Sequence, residues 1–155
     1  MTFASYEYVL SRTPFVVRRK VRWSDCDPAG VVFTGKFAEY VLGFVTLFYA
    51  ELAQGQKFVD WLRALDIDMP VKGMAFEFHG ALWPEDEFDL HGQVLEIREH
   101  SYDIAIEGKQ ADGRRILSAR FSPICIRRDE RVRTAIPPQL VAALERLRVP
   151  SSNTN

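Results

Sequence analysis

The sequence has 155 residues, of which 47% are hydrophobic and 26% are charged, a size and composition typical of one globular domain. Disordered, collagen-like and disulfide-rich proteins are thereby excluded. Because 20 Lys and Arg residues nearly balance 21 Asp and Glu residues, a nucleic-acid or anionic-membrane binder that depends on bulk charge is excluded as well.

The predicted elements begin after residues 1–13, which we expect to be a loosely attached lead-in. β-Branched residues in partial alternation predict a first strand over 15–23, and a turn rich in Asp, Pro and Gly follows at 24–30. Apolar residues at three- and four-residue spacing predict a long helix over 36–54, and a shorter helix is expected at 58–65. The long helix is apolar on most faces, so we expect it to be buried.

After Pro70 the period of the apolar residues changes from about 3.6 to two, which indicates strands. Asp112-Gly113 is a hairpin signal between two of them. The strands are predicted around 74–78, 88–98, 101–110 and 114–127, with a possible extension of the sheet at 131–135.

The C-terminal region is predicted to contain an amphipathic helix at about 137–147, opened by Pro137-Pro138, and a disordered tail after about 150. The whole order predicts a single α+β domain, 1–155, with its core at about 14–138. We expect a curved antiparallel sheet of about five strands wrapped around the long central helix.

The compartment is indicated by the cysteines and the apolar segments. Cys26 and Cys125 lie far apart and form no paired metal-binding motif, so free thiols in a reducing cytoplasm are expected. The N-terminal stretch lacks the basic start and apolar segment of a signal peptide. The apolar stretch at 37–53 is shorter than a membrane span and contains Glu39 and Glu51. We therefore expect a cytoplasmic protein without a membrane partner.

The most informative segment is DCDPAGVVF at 25–33, which precedes the long helix. A carboxylate here can lie near the N–H groups of the helix N-terminus, where the helix dipole favours negative charge. Those N–H groups can instead polarise a substrate carbonyl while the carboxylate attacks it or activates water. Alternatively, Asp25 and Asp27 only form and cap the turn.

The segment resembles the D-x-D-P-A-G-I/V-V-aromatic signature of the 4-hydroxybenzoyl-CoA thioesterase-like branch of the hotdog-fold acyl-CoA thioesterases. The resemblance covers about 14–138 and implies that Asp27 is the catalytic carboxylate, as nucleophile or general base. It also implies that the Thr34 backbone N–H polarises the thioester carbonyl. Thr34 replaces the usual Tyr or His, which matters little for a main-chain role. Neither a metal nor a cofactor is implied, because CoA is part of the substrate.

The resemblance also indicates the acyl group. Many relatives carry an acidic residue where Leu42 stands, so an apolar aromatic or aliphatic acyl group is implied rather than a para-hydroxylated one. The 11 Phe residues of the chain require a large apolar core or an apolar pocket. The candidates for lining such a pocket, each alternatively a core residue, are Phe33, Phe37, Tyr40 and Phe44.

Binding of the anionic CoA by a nearly neutral protein requires local cations. Arg98 and His100 lie at a strand junction where relatives carry an Arg/Lys-rich turn. Arg131 and Arg133 match an E-R-x-R stretch of the family and are the best candidates for the phosphates. Arg131 and Arg133 are alternatively solvated surface arginines, and His100 replaces a Lys of the family pattern, which makes its contact weaker or pH-dependent.

The resemblance implies a homodimer or homotetramer with active sites at the subunit interface. The alternative functions are a non-catalytic acyl-thioester-binding module and a hotdog-fold 3-hydroxyacyl-thioester dehydratase. The dehydratase needs a histidine beside an acid, and no histidine lies near Asp27 in the sequence. Cys26 has no neighbouring histidine either, so we do not expect it to be a nucleophile.

Overall fold

The computed structural model describes residues 5–148, so the predicted tail after about 150 lies outside the described residues. A single 3-10 turn spans Trp23–Asp25. In chain order the other elements are β1 (Glu7–Arg12), β2 (Phe15–Lys20), α1 (Lys36–Leu52), α2 (Phe58–Ala64), β3 (Ile67–Asp68), β4 (Val71–Phe78), β5 (Glu87–Ile97), β6 (Tyr102–Lys109), β7 (Arg115–Pro123), β8 (Ile126–Arg127) and α3 (Pro138–Arg146).

The main sheet has six strands in the order β1-β2-β5-β6-β7-β4, and every neighbouring pair is antiparallel. The predicted α+β class with an antiparallel sheet is confirmed. The sheet has one strand more than the predicted five or so, because residues 7–12 pair with β2. The prediction of a loose lead-in is therefore wrong for these residues. Half-buried and exposed residues alternate along β1 in the structure, but polar and apolar residues do not alternate in its sequence, EYVLSR.

Helix α1 supplies much of the core. Its buried residues recur at three- and four-residue spacing and are Phe37, Tyr40, Val41, Phe44, Val45, Phe48 and Leu52. The Phe44 ring meets the Phe15 ring edge-on, with 5.4 Å between centroids. Gly92 of β5 lies directly against the Phe44 ring, and a Cβ atom at this position would overlap the ring. The missing side chain of Gly92 therefore lets the sheet approach the helix closely.

The predicted strand over 114–127 is interrupted. β7 ends at Pro123, and the next two-residue strand, β8, pairs with β3 in a separate small sheet. Proline lacks the N–H group that a continued ladder requires. The predicted extension at 131–135 contributes one bridge, between Arg133 and Ile126, and so joins this small sheet instead of the main one.

One end of the main sheet, here called the helix-start end, lies beside the turn that precedes α1. β2 ends there at Lys20, opposite Glu87 at the start of β5. The Val32 N–H donates a hydrogen bond of 2.9 Å to the Leu82 carbonyl, which ties the turn before Lys36 to the segment leading into β5.

The opposite end, here called the arginine end, contains the turn between β5 and β6 at 98–101. The Cys125 N–H donates to the His100 carbonyl at 2.7 Å, and the Ile136 N–H donates to the Glu99 carbonyl at 2.9 Å. The segment after β7 therefore lies beside this turn.

No helix within residues 5–148 combines the length and the apolar character needed to cross a membrane.

Candidate active site

Asp27 lies in a tight turn at the helix-start end. Its N–H donates to the Val31 carbonyl and its carbonyl accepts from the Gly30 N–H, both at 2.9 Å. Gly30 has φ of +85°, a left-handed conformation that glycine adopts without steric cost. The bridge between Cys26 and Val32 closes the turn. The chain reversal thus holds the partly exposed Asp27 in the turn that leads into α1.

The Asp27 carboxylate uses only one of its oxygens within the described chain. Oδ1 accepts the Ala29 N–H at 2.8 Å, an Asx-type contact that orients the side chain. Among residues 5–148 no side chain forms a salt bridge with Asp27, and Oδ2 accepts no hydrogen bond. One carboxylate oxygen therefore remains available to attack a carbonyl carbon or to take a proton from water.

Thr34 stands just before α1, where the N–H groups lack partners within the helix. The N–H groups of Lys36 and Phe37 donate to the carbonyls of Phe33 and Thr34, at 2.9 and 3.3 Å. In the part of the chain that the structure describes, the Thr34 N–H donates no hydrogen bond. This donor lies at the positive end of the α1 dipole, so it can stabilise a developing oxyanion.

Asp25 differs from Asp27 in being buried, with 3% of its surface exposed. Its Oδ2 accepts the Tyr40 hydroxyl at 2.8 Å and the Arg22 N–H at 3.1 Å. Its Oδ1 lies 3.6 Å from Nζ of Lys36. Asp25 is thus occupied by donors of the protein itself, unlike Asp27.

Cys26 stands between the two carboxylates and is partly exposed. Desolvation raises the pKa of its thiol, and the negative charges of Asp25 and Asp27 raise it further. The thiol therefore stays protonated, which makes it a poor nucleophile.

The apolar residues predicted to line a pocket separate into two groups. Phe33 is 48% exposed and Leu42 is 45% exposed, whereas Phe37 is buried. Tyr40 and Phe44 are wholly buried in the core. Phe33 and Phe37 flank Thr34, but Leu42 lies on the exposed face of α1.

Sequence reasoning missed one aromatic residue of this region. Phe78, at the end of β4, is 50% exposed, and its ring centroid lies 5.3 Å from that of Phe37. The Phe76 and Phe78 rings stack along the strand, with 6.0 Å between centroids. The alternation of the strand predicted a sheet face, but pairing with the first turn of α1 depends on tertiary packing.

A separate groove of about 450 Å³ lies between β1 and the second half of α1 and contains none of the predicted site residues.

Arg98 is held by the protein itself. Its Nη1 and Nη2 donate to the two carboxylate oxygens of Asp103, each at 2.9 Å, and its Nε donates to Oγ of Ser101 at 3.0 Å. Arg120 donates to the same carboxylate at 2.7 Å. Hydrogen bonding by the Arg98 guanidinium holds the pKa of Asp103 well below its usual range, although burial opposes this.

We expect the Asp103 pair to make stability fall in acid. A lowered carboxyl pKa stabilises the fold fully only above the unfolded-state pKa of about 3.9, and the contribution is lost as pH falls toward the folded-state value. Urea unfolding between pH 6 and 2 should therefore show a steeper loss of unfolding free energy for the unmodified protein than for Asp103→Asn. Parallel pH dependences would contradict this assignment.

The other predicted cations also lie at the arginine end. His100 is partly buried, and its Nε2 lies 3.7 Å from the Glu99 carboxylate. Arg131 and Arg133 are exposed, and neither guanidinium forms a salt bridge within residues 5–148. Arg131 has φ of +53° in the turn after β8. Arg131 and Arg133 are therefore more available to an anionic ligand than Arg98 is.

One chain does not bring the two sets of predicted site residues together. Asp27 and Thr34 lie at the helix-start end, whereas Arg98, His100 and the loop of Arg131 lie at the arginine end. Helix α1 runs between these ends, and its 17 residues correspond to about 25 Å. This separation was not predictable from local sequence patterns, because it depends on the direction of β5.

Residues 21–144 match the thioesterase-like superfamily. No curated protein gives a significant match.

Several solved structures are similar in fold. A thioesterase-superfamily protein from Jannaschia sp. has a TM-score of 0.79 and 20% identity, over 91% of this chain and 96% of that chain. A 1,4-dihydroxy-2-naphthoyl-CoA thioesterase from Synechocystis has a TM-score of 0.76 and 20% identity, over 88% and 98%. A DHNA-CoA thioesterase from Staphylococcus aureus has a TM-score of 0.72 and 16% identity, over 85% and 89%.

Proposed function

The chain belongs to the thioesterase-like superfamily and has the hotdog fold, so it is a thioester hydrolase, and we propose that it hydrolyses acyl-CoA to a free acid and CoA. The observation that carries this proposal is that Asp27 and Thr34 lie on either side of one turn. Considering contacts within residues 5–148, a carboxylate with one unpaired oxygen and a main-chain N–H without a partner border the same turn before α1. Thioester hydrolysis requires these two groups, one to attack or activate water and one to stabilise the oxyanion.

The proposed chemistry can proceed in two ways with the same residues. As a nucleophile, an Asp27 oxygen bonds to the thioester carbon while the Thr34 N–H stabilises the oxyanion. The C–S bond then breaks, the thiolate of CoA leaves and takes a proton from solvent, and water hydrolyses the resulting anhydride. As a general base, Asp27 takes a proton from water while the water oxygen attacks the carbon. The C–S bond of the tetrahedral intermediate then breaks, and the leaving CoA thiolate takes up the proton that Asp27 releases.

We propose an apolar acyl group, with an aromatic acyl group as the first choice. The half-exposed Phe33 and Phe78 and the buried Phe37 surround the start of α1 and offer ring faces and edges to such a group. Leu42 provides no polar partner for a hydroxyl. Two of the structurally similar proteins are named as thioesterases of 1,4-dihydroxy-2-naphthoyl-CoA and DHNA-CoA, which supports an aromatic substrate class.

We propose that the active protein is a homodimer, or a homotetramer built from such dimers. β4 is an edge of the sheet whose outer side has no partner strand among residues 5–148, and an unpaired edge favours pairing with another strand. Val71 and Phe78 at its two ends are exposed apolar residues. A symmetric pairing of two β4 strands would run antiparallel, and could bring the arginine end of one protomer toward the helix-start end of its partner.

We assign the CoA phosphates to Arg131 and Arg133, with Arg98 and His100 at the margin of the same surface. The guanidinium groups of Arg131 and Arg133 are exposed and make no salt bridge in the described chain, whereas Arg98 is held by Asp103.

The two free thiols support a reducing compartment, and we propose the cytoplasm.

The combined change Arg131→Gln and Arg133→Gln is expected to raise KM for acyl-CoA by about tenfold and to leave kcat nearly unchanged, the size expected for two exposed arginine contacts with phosphate. The increase should shrink at high salt because screening already weakens these contacts in the parent protein. Arg12→Gln is the matched control, since Arg12 is exposed on β1 and pairs with Glu51. An unchanged KM would contradict the phosphate assignment.

Mixing two inactive or weakened variants tests the shared site. Asp27→Asn chains keep both arginines, and chains with both arginines replaced keep Asp27. If a site combines Asp27 of one protomer with Arg131 and Arg133 of the partner subunit, mixed dimers regain one intact site. The kcat/KM at low substrate should then exceed the sum of the separate variants. Subunit exchange is verified by mass spectrometry. If the kcat/KM of the mixture then equals the sum for the separate variants, either Asp27 and the two arginines of a site belong to one chain, or the arginines are not part of the site.

The function itself is tested with a panel of aromatic and aliphatic acyl-CoA esters and a thiol reagent. Release of free CoA thiol, greatest with apolar aromatic esters, is the expected result. Tight binding of the esters without thiol release would instead identify a non-catalytic thioester-binding module.

A further inference from the structure

We infer that Asp25 and Tyr40 form a brace that sets the position of the Asp27 carboxylate relative to the Thr34 N–H, an inference that rests on the proposed function. Neither brace residue needs to touch the substrate. Their role is to position the two groups that do.

The first part of the brace is the side chain of Asp25. Its carboxylate is buried and receives the Tyr40 hydroxyl at 2.8 Å, from the second turn of α1. The same oxygen receives the Arg22 N–H at 3.1 Å, from the segment before the 3-10 turn. Lys36, in the first turn of α1, lies 3.6 Å from the other oxygen. The carboxylate therefore joins the chain before the site to the helix after it.

The second part is the backbone of Asp25. Its carbonyl accepts the Phe33 N–H at 3.2 Å. Asp25 is two residues before Asp27, and Phe33 is the residue immediately before Thr34. Asp25 is thus hydrogen-bonded on both sides of this turn, to Arg22 before it and to Phe33 after it. The turn carries the reacting carboxylate, and the oxyanion donor follows Phe33.

The third part is the fixed ring of Tyr40, which has no exposed surface. The Arg19 guanidinium lies over the ring, 4.5 Å from its centroid, and Arg19 is paired with Glu7 of the edge strand β1. The ring also packs against Phe37 and Phe88, at 5.8 and 5.2 Å between centroids. The hydroxyl therefore has little freedom to move, and it delivers its hydrogen bond from a rigid position.

The protonation states suit this role. Burial raises the pKa of Tyr40 far above its usual range, and the hydrogen bond to Asp25 raises it further. The hydroxyl therefore remains a donor at every pH at which the protein is assayed. A misplacement of about 1 Å at a reacting group can reduce the rate about a hundredfold, so a rigid support has a direct effect on turnover.

The test is Tyr40→Phe, which removes the hydroxyl and keeps the ring. We expect kcat to fall about tenfold to a hundredfold, while KM changes by less than about threefold because the exposed binding residues are untouched. Tyr102→Phe is the matched control. Tyr102 is equally buried, and its hydroxyl bonds to that of Tyr49 at 3.2 Å, but it lies toward the arginine end. This control should lose similar stability and keep its kcat.

Each outcome decides the inference. A fall in kcat for Tyr40→Phe and not for Tyr102→Phe, at temperatures well below both melting points, supports the brace. A kcat within about twofold of the parent, or equal losses in both variants, overturns it. Should Tyr40→Phe fail to fold, Lys36→Gln at the partly exposed side of the brace takes its place, and an unchanged kcat there overturns the inference. Assaying Asp27→Asn in parallel distinguishes failure of the proposed function from failure of the brace. An active Asp27→Asn protein refutes the proposed function and not merely the brace.

Discussion

Asp27→Asn is expected to reduce kcat by about a thousandfold, within the range typical for loss of an essential acid–base group or nucleophile. The amide of Asn has nearly the shape of the carboxylate, and its oxygen can still accept the Ala29 N–H that Oδ1 of Asp27 accepts at 2.8 Å. The turn should therefore remain folded. What is lost is the anionic oxygen, because a neutral amide neither attacks a thioester carbon nor takes a proton from water.

The measurement is steady-state hydrolysis of the best substrate in the acyl-CoA panel, together with calorimetric binding of a non-hydrolysable CoA thioester. Binding is expected to stay within a few fold of the parent, while turnover collapses. Asp112→Asn is the control, since Asp112 Oδ1 accepts the Arg114 N–H at 2.9 Å in the same local arrangement, in an exposed hairpin turn. Full activity of Asp27→Asn would refute the proposed mechanism.

Phe44→Ala is expected to lower the free energy of unfolding by about 3–5 kcal/mol, a large part of the 5–15 kcal/mol that is typical for a domain. Phe44 is completely buried, its ring meets that of Phe15 edge-on and stacks with that of Phe48 at 6.2 Å, and Gly92 lies against it. Removing the ring leaves a cavity at the contact of helix and sheet. The rigid strand on one side and the helix on the other limit how far the cavity can close.

Urea unfolding followed by circular dichroism measures this loss. Trp23→Ala removes an even larger ring, but that ring is 77% exposed, so its loss should change the free energy by only about 0.5 kcal/mol. Comparable losses in the two variants would show that the core is not organised around α1 as described.

The fold was predictable to the extent that local patterns determine it. The buried face of α1 and the strands after Pro70 are read from three- and four-residue spacing and from alternation, and both agree with the structure. β1 was missed because its pattern is short and its stability comes from pairing with β2. β3 has only two residues, too few for any period to be recognised.

For the candidate site, the sequence pointed to a segment of the chain, and the geometry around that segment was less predictable. The resemblance of the segment at 25–33 implied roles for Asp27 and for Thr34, which follows the segment, and these two residues border one turn. The hydrogen bonds that hold Arg98 on Asp103 and Tyr40 on Asp25 could not be read from the sequence. Their partners are brought together by the hairpin of β5 and β6 in one case and by the packing of α1 in the other.

The buried Asp25 has a consequence for how this protein can be improved. A desolvated carboxylate is a costly core residue, and replacing Asp25 and Tyr40 with well-packed apolar side chains can raise the stability of a domain. Selection for heat resistance alone would favour such replacements, whereas selection for turnover would remove them. Heat resistance and turnover therefore place opposite demands on Asp25 and Tyr40. Thermostable variants of this protein are best sought at exposed positions far from the start of α1.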